Sequence, residues 1–205
     1  MSKIKGRQSK SKLSRRCKVN IWGRANDAFE SKPTLPGQHK TARRSTSNFA
    51  KQNTAKQHVK NYYSITDGKL RTVVRAAVAS LKNSNEYIVY TLETMIASVV
   101  YRAGFASTIF LAKQLVSHGH VLLNGKRINI STANIKVGDK LQLTSKAASM
   151  KVVAEFIASK ARQAPSYLEV SDSERSITLK FLPKYEDVPY ESKLNIPYLL
   201  EFYSR

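Results

Sequence analysis

The sequence contains one cysteine, Cys17, among its 205 residues. An intrachain disulfide and a zinc site made of clustered cysteines are therefore excluded, and a reducing compartment fits. No apolar run approaches the roughly 18 residues of a membrane-spanning helix. Acidic residues are scarce, since 14 Asp and Glu stand against 35 Lys and Arg, for a net charge of +21. This charge favours a polyanionic partner or an acidic membrane and says little about the fold.

The positive charge is concentrated near the N-terminus. Residues 1–60 hold 16 Lys and Arg against 2 acidic residues, whereas residues 151–205 hold 8 of each. The first 18 residues have too few large apolar side chains to fold by themselves, and they lack the apolar face of a transit peptide. A solvated basic tail is one interpretation. The aromatic residues Trp22, Phe29 and Phe49 favour instead an arm that becomes ordered against RNA, and we predict a basic extended arm over residues 1–45.

Apolar periodicity predicts helices through the middle of the chain. One is expected over residues 49–63, and a stronger one follows residues 66–67. Further helix is expected through residues 88–100, ended by Gly104, and Ser107 or Thr108 can cap the next helix. The inward residues of the second helix are expected to be Leu70, Val73, Val74, Ala77, Val78 and Leu81.

The segment 112–130 predicts the end of that last helix followed by a β-hairpin. Gly119 suits the left-handed residue that closes a helix, and Asn124-Gly125 suits a type I′ turn. A turn at Val137-Gly138-Asp139 then leads into a third strand over residues 140–144. The helix end and the basic hairpin tip should be neighbours, and such a surface can grip a phosphate backbone.

The C-terminal quarter predicts little regular structure before its end. A short helix is expected over residues 149–160, and Pro165, Pro183 and Pro189 then divide an extended, loop-rich region. Asn195 can cap a last helix with Pro197 in its first turn, packed against the helical part of the protein. Its buried residues are expected to be Tyr198, Leu199, Phe202 and Tyr203.

Several motifs resemble the ribosomal protein S-four family, the universal fourth protein of the small subunit. Its small RNA-binding module is matched by VVYRAGFAST (99–108), AKQLVSHGHVLLNG (112–125) and VGD (137–139). Its N-terminal arm is matched by LSRR (13–16), WGR (22–24) and PGQH (36–39), and its C-terminus by YLEV (167–170), DVPY (187–190) and EFYSR (201–205). Matches in order along nearly the whole chain are more specific than the module alone.

The resemblance implies an α+β fold with a discontinuous helical domain, residues 46–92 completed by 172–205. An αβ RNA-binding module and the connection after it are inserted at 93–171. The module consists of two helices in a helix-turn-helix-like pair and a small antiparallel sheet.

The resemblance also implies a structural, non-enzymatic protein that binds small-subunit ribosomal RNA directly. Such a protein nucleates assembly of the 5′ domain and contributes to decoding accuracy near the path where mRNA enters. Neighbouring small-subunit ribosomal proteins are expected partners. No cofactor, metal, membrane or small-molecule substrate is expected.

The expected RNA contacts are basic or hydrogen-bonding side chains, because double-stranded RNA is read mainly through its backbone and 2′-hydroxyls. Each could instead be an ordinary solvated side chain. In the arm they are Arg7, Lys12, Arg15, Arg16, Gln38, His39, Arg43 and Arg44, and in the module Arg102, Lys113, Gln114, Ser117, His118, Lys126 and Arg127. The corner at Thr108-Ile109-Phe110 departs from the family because it lacks an Arg or Lys.

Two other classes of protein could carry a module of this kind. An RNA-modifying enzyme can carry such a module, but no nucleophile–base pair, phosphate-cradling glycine loop or paired carboxylates stand out. A DNA-binding regulator could use the helix pair in a major groove, but the hairpin and the long basic arm favour folded RNA. His118 and His120 are too few for a metal site, and Tyr62, Tyr63, Tyr101 and Tyr203 are expected in the core instead of stacking on bases.

The compartment is the least constrained expectation. The family-like motifs begin by residue 13, which leaves little room for a cleavable presequence. A protein made where it works is therefore expected, either in the bacterial cytoplasm or from an organelle's own genome. The mitochondrial matrix is slightly favoured.

Overall fold

The protein is described by a computed structural model that covers residues 9–23, 26–38, 47–80, 83–171, 173–190 and 193–204. The chain divides into two compact units. Unit 1 comprises residues 1–71 and 190–205, and unit 2 comprises residues 72–189. Within the described ranges, no helix has the length and apolar character needed to cross a membrane.

Unit 1 is built around the long helix α3 (Asn48–Tyr62), along which the last helix, α10 (Ile196–Tyr203), is packed. The Gln52 amide donates a hydrogen bond to Glu201 at 2.9 Å, and the Tyr203 hydroxyl donates one to Asp67 at 3.2 Å. Asp67 begins α4 (Asp67–Ala79). The predicted packing of the last helix on the helical part is therefore confirmed. The Asn195 side chain caps α10 as predicted, but within the predicted apolar set only Leu199 is fully buried.

The described part of the N-terminal arm is folded and not extended as predicted. It forms α1 (Lys10–Cys17) and α2 (Ala28–Ser31), and α1 packs against α3. Ile21 is fully buried, and the buried Ser14 hydroxyl donates to Asp27 at 2.9 Å. The segment thus folds with few apolar residues, since α1 packs both on α2 and on α3, which lies outside the segment.

Burial of His58 on α3 makes unit 1 sensitive to acid. Burial lowers the pKa of this imidazole from 6.5 to about 4, so the folded state holds it neutral. Between those values the unfolded chain binds more protons, and stability therefore falls as the pH drops from about 6.5 towards 4. We expect a loss of up to about 3 kcal/mol across this window. Urea unfolding at a series of pH values measures it, and a His58→Gln variant should show a flatter dependence. An equally steep profile in that variant would contradict the assignment to His58.

Unit 2 contains most of α4, three further helices in sequence and two short helices after the hairpin. The helices are α5 (Ser84–Glu93), α6 (Ile96–Arg102), α7 (Ile109–Ser117), α8 (Ser145–Ala148) and α9 (Lys151–Ala158). On α4 the predicted inward residues are buried except Val78, which is 62% exposed, and Leu81, which lies outside the described residues.

The helix predicted through residues 88–100 is divided in two. Met95 leaves the helix and forms an isolated bridge with Asn134. The backbone N–H groups of Ile96 and Ala97 donate to carbonyls of residues 133 and 131, at 2.9 and 3.1 Å. These bonds satisfy donors that a helix start leaves without an intrahelical partner, so a loop distant in sequence caps α6.

The sheet of unit 2 has five antiparallel strands among the described residues, in the order β2-β1-β3-β5-β4. They are β1 (Val121–Leu123), β2 (Lys126–Ile128), β3 (Lys140–Leu143), β4 (Leu168–Ser171) and β5 (Ser176–Leu179). The predicted hairpin and third strand are confirmed. The prediction of an irregular region after Pro165 is wrong, since Leu141 of β3 pairs with Ile177 of β5.

The compact units divide the chain at other residues than the domains expected from the sequence, and those domain bounds stay a prediction. Residues 72–92 and 172–189 lie with the module in unit 2 and not with the helical domain. The cause at the C-terminal boundary is the β3–β5 pairing, which places residues 176–179 inside the sheet.

Candidate nucleic-acid interface

The helix α7 begins and ends with the local signals that its sequence contains. The Thr108 hydroxyl accepts a hydrogen bond from the Leu111 N–H at 3.2 Å, which confirms the predicted N-cap. At the other end Gly119 has φ +70°. This left-handed residue turns the chain into β1, because glycine has no Cβ to oppose it.

The end of α7 lies directly against the hairpin, as predicted. A Cβ placed on Gly119 would be 2.9 Å from Arg127 Cδ and 3.3 Å from Arg127 Cγ. The aliphatic part of Arg127 therefore runs across the helix end.

We expect Gly119→Ala to lower the free energy of unfolding by about 1–3 kcal/mol, because the new methyl group is strained at this φ and meets Arg127. Denaturant unfolding measures the loss. The matched control is Gly68→Ala on α4, where a Cβ has open space and φ is not positive. That variant should be neutral or slightly stabilised. Equal stability of the two variants would contradict the close approach at Gly119.

The hairpin tip is held by a small hydrogen-bond network. Asn124 and Gly125 have φ of 49° and 80°, as a type I′ turn requires. The Asn124 amide donates to Asp139 Oδ1 at 2.8 Å and accepts from the Lys140 N–H at 2.9 Å. Asp139 also accepts from the Lys136 N–H at 2.7 Å, and these bonds lower the pKa of its carboxyl. Asn124 thus acts in the turn, as expected from the sequence.

Exposed polar and basic groups surround this joint. Lys126 and Arg127 are exposed on β2 and line a shallow cleft of about 320 Å³. On α7 the predicted contacts Gln114 and Ser117 are also exposed, as is His118 directly after the helix, and Lys113 is half-buried. We call the following set the hairpin surface: Lys113, Gln114, Ser117, His118, Lys126, Arg127 and Lys146.

Lys146 is not among the RNA contacts predicted from the sequence. Its place in this surface is indicated by its effect on His120. The pKa of His120 is lowered first by burial and then by the positive charges of Lys146, His118 and Arg127. Arg127 of β2 and Lys146 of α8 therefore act on the same imidazole, and the Thr144 N–H next to α8 donates to the His120 carbonyl at 3.0 Å. The sequence signal available was a lysine one turn after β3, behind the cap residue Thr144. Nothing in that signal indicated that α8 lies beside the hairpin.

Arg102 is a correction to the predicted contacts. Its side chain is 2% exposed, and it forms a two-bond ion pair with the buried carboxylate of Glu93 at 2.9 and 3.0 Å. It also donates to the Pro189 carbonyl at 2.9 Å, and the Tyr167 hydroxyl donates to Glu93 at 2.9 Å. The guanidinium is held inside unit 2 and cannot reach a phosphate.

The RNA contacts predicted in the N-terminal arm divide into three groups. Lys12, Arg16 and Gln38 are exposed. Arg15 is partly committed to the protein, since it donates to the Thr34 carbonyl and hydroxyl and to the Leu35 carbonyl at 2.9–3.0 Å. The remaining predicted contacts lie outside the described residues: Arg7, His39, Arg43 and Arg44.

Two histidines and four tyrosines were singled out in the sequence, and the structure places each of them. The rings of His118 and His120 stack at 6.2 Å, and no group of three or more His, Cys, Asp or Glu in the described ranges could hold a metal ion. Tyr62, Tyr63 and Tyr101 are buried, as predicted, and Tyr203 is half-buried.

Two family models match the chain. The "Ribosomal protein S4/S9 N-terminal domain" matches residues 5–93 and the "S4 domain" matches residues 96–141. Their junction lies near the predicted boundary at 92/93, whereas the compact units divide at 71/72. The mixed fold and its basic hairpin surface thus define a protein of the S4-domain class.

Similar proteins narrow this class. The chain is 40% identical to the small ribosomal subunit protein uS4 of Ehrlichia chaffeensis over 199 residues, 97% of this chain and 98% of that one. It is 40% identical to that of Hyphomonas neptunium over 198 residues, covering 96% and 97%, and 35% identical to that of Pelagibacter ubique over 199 residues, covering 96% and 97%. The chain belongs to the uS4 family of small ribosomal subunit proteins. These relatives are named as ribosomal proteins and not as enzymes, and they are bacterial, which does not support the mitochondrial preference.

Proposed function

We propose that this protein binds small-subunit ribosomal RNA directly, as a structural component of the small ribosomal subunit in a bacterial cytoplasm. The observation that carries the proposal is the close approach of Arg127 to Gly119 at the end of α7, on a surface where Lys126, Arg127 and Lys146 are exposed. Positive charge on a rigid helix–hairpin joint suits the fixed spacing of RNA phosphates. The family's name supports the choice of ribosomal RNA over other polyanions.

Two surfaces take part in this proposal. In unit 2 the hairpin surface supplies the contacts. In unit 1 the exposed Lys12, Arg16 and Gln38 supply others, together with Arg7, His39, Arg43 and Arg44 from outside the described residues. Arg102 is left out because it is buried, and Arg15 contributes mainly by shaping the loop around Thr34.

The finer role follows from the family resemblance. We propose that the protein binds early, nucleates assembly of the 5′ domain, contacts neighbouring small-subunit proteins and contributes to decoding accuracy near the path where mRNA enters. As an RNA-binding module, residues 93–171 are proposed to act with residues 72–79 of α4 and with β5, which belong to the same compact unit.

The test is reconstitution with small-subunit ribosomal RNA. The full chain should bind a transcript of the 5′ domain more tightly than a 3′-domain transcript of equal length at physiological salt. A filter-binding titration of both transcripts measures the difference. Equal affinity for the two would reduce the protein to a non-specific polycation binder and overturn the proposal. Co-sedimentation with small subunits from a bacterial extract gives an independent check.

A further inference from the structure

A second polar cleft lies in unit 1, between α1 and α3, and we call it the α1–α3 cleft. Its volume is about 440 Å³, within the range of about 300–1,000 Å³ that small-molecule sites occupy. It is lined by Leu13, Arg16 and Cys17 from α1 and by Asn53, Thr54, Gln57, Lys60 and Asn61 from α3. None of these described lining residues is acidic.

The lining follows one face of each helix. On α3, Asn53, Gln57, Lys60 and Asn61 recur at the four- and three-residue steps that align side chains along a helix. Asn53, Gln57 and Asn61 have side-chain amides, each with a donor and an acceptor, and Lys60 adds a positive charge. The Thr54 hydroxyl donates to the Ala50 carbonyl at 2.8 Å, so towards the cleft it can only accept.

The other wall of the cleft is α1, and hydrogen bonds to residues outside the cleft fix its position. The Ser14 hydroxyl, fully buried, donates to Asp27 at 2.9 Å, and Asp27 caps α2 by accepting from the Phe29 N–H at 2.8 Å. Arg15 is tied to the Thr34–Leu35 loop by three hydrogen bonds. Because α1 is fixed on two sides, the cleft is preformed, and a ligand need not order it.

We propose that the α1–α3 cleft receives one unpaired nucleotide of the bound RNA. The proposal rests on the proposed function and adds a site to it. Amides of Asn53, Gln57 and Asn61 offer donors and acceptors to a base edge, and Arg16 and Lys60 offer charge to its phosphate. Leu13 and Cys17 supply an apolar wall for the base face. Specific RNA recognition commonly uses splayed-out bases read in this way.

Near-isosteric variants of the full chain test the cleft. Gln57→Leu removes the amide and Lys60→Met removes the charge, with little change in volume. We expect each variant to weaken binding of the 5′-domain transcript about tenfold. This is the effect of losing one to two hydrogen bonds to the base or to its phosphate. The matched controls are Lys51→Met, exposed on α3 outside the cleft, and Gln163→Leu, exposed in unit 2. Both should stay within about twofold of the parent.

The outcomes separate the cleft from the general function. A parent protein that does not discriminate the 5′-domain transcript overturns the proposed function, and the cleft with it. Discriminating parent binding with unchanged Gln57→Leu and Lys60→Met variants overturns the cleft alone. A loss confined to Lys60→Met overturns it too, because a phosphate contact without a base contact would then suffice.

A second measurement uses the unaltered protein and does not depend on the variants folding. The complex is formed with a 4-thiouridine-substituted transcript, irradiated and digested. We expect crosslinks on peptides from residues 10–17 or 53–61, and one of them on Cys17, the only thiol in the sequence. Crosslinks found in other segments and not in these two would overturn the proposal.

Discussion

Replacing Arg102 with Ala is expected to lower the free energy of unfolding by about 3–5 kcal/mol, which is the usual cost of removing one partner of a buried ion pair. Glu93, 0% exposed, would stay in the interior and lose the two hydrogen bonds from the guanidinium, while the Tyr167 hydroxyl would still donate to its carboxylate. The Pro189 carbonyl would lose its donor as well. Guanidinium unfolding followed by circular dichroism measures the loss. Hydrogen exchange in α5 and α6 should show that these helices open first.

Two further variants make this result specific. Arg127→Ala removes the same side chain from an exposed position and should change stability by about 0.5 kcal/mol or less. The double variant Glu93→Leu, Arg102→Met replaces the pair with apolar side chains and should recover most of the loss, because no uncompensated charge remains. A single Arg102→Ala variant as stable as Arg127→Ala would show that the pair contributes little.

Affinity for 5′-domain RNA is expected to fall by about 10³–10⁵ between 50 and 200 mM salt, as it does for proteins that neutralise about 6–10 phosphates. Replacing both Lys126 and Arg127 with Ala should weaken binding at every salt concentration. It should also reduce the slope of log affinity against log salt by about 1.5–2, because two fewer counterions are released. Both side chains are exposed, so the melting temperature should change little. Filter binding across a salt series measures both quantities.

The control for this variant removes two positive charges from outside the hairpin surface. Lys151→Ala with Lys184→Ala removes two exposed lysines of unit 2 that are outside the hairpin surface. This pair should alter the salt slope less than the Lys126, Arg127 pair. Equal slopes would mean that RNA affinity depends only on the net charge of the protein. A large loss of melting temperature in the Lys126, Arg127 variant would mean that these two side chains are needed for the fold.

Local signals in the sequence predicted local structure well. The Thr108 cap, the Gly119 helix end and the Asn124-Gly125 turn each act through atoms within a few residues, and all three are confirmed. The I′ turn also predicted the strands on either side of it, because such a turn matches the twist of a hairpin.

Features that depend on distant partners were missed. Strands β4 and β5 show alternation at Leu168 and Val170, and at Ile177 and Leu179, but each is only four residues long and lies among prolines. Arg102 looked like a surface cation because its partner Glu93 stands nine residues earlier, across the helix break at Met95. Burial of that kind is decided by tertiary packing, which single-sequence patterns do not contain.

The packing of α10 on α3 has a consequence for the order in which the protein folds as it is synthesised. Gln52 and Glu201, which join these helices, are 149 residues apart in the chain. Unit 2 is one continuous stretch, so all of its internal contacts are available once residue 189 has left the ribosome. The helix α3 is synthesised long before α10, so contacts such as the hydrogen bond between Gln52 and Glu201 form only after the C-terminal helix has been made. A nascent chain halted before residue 196 therefore presents a finished hairpin surface beside an unfinished N-terminal unit.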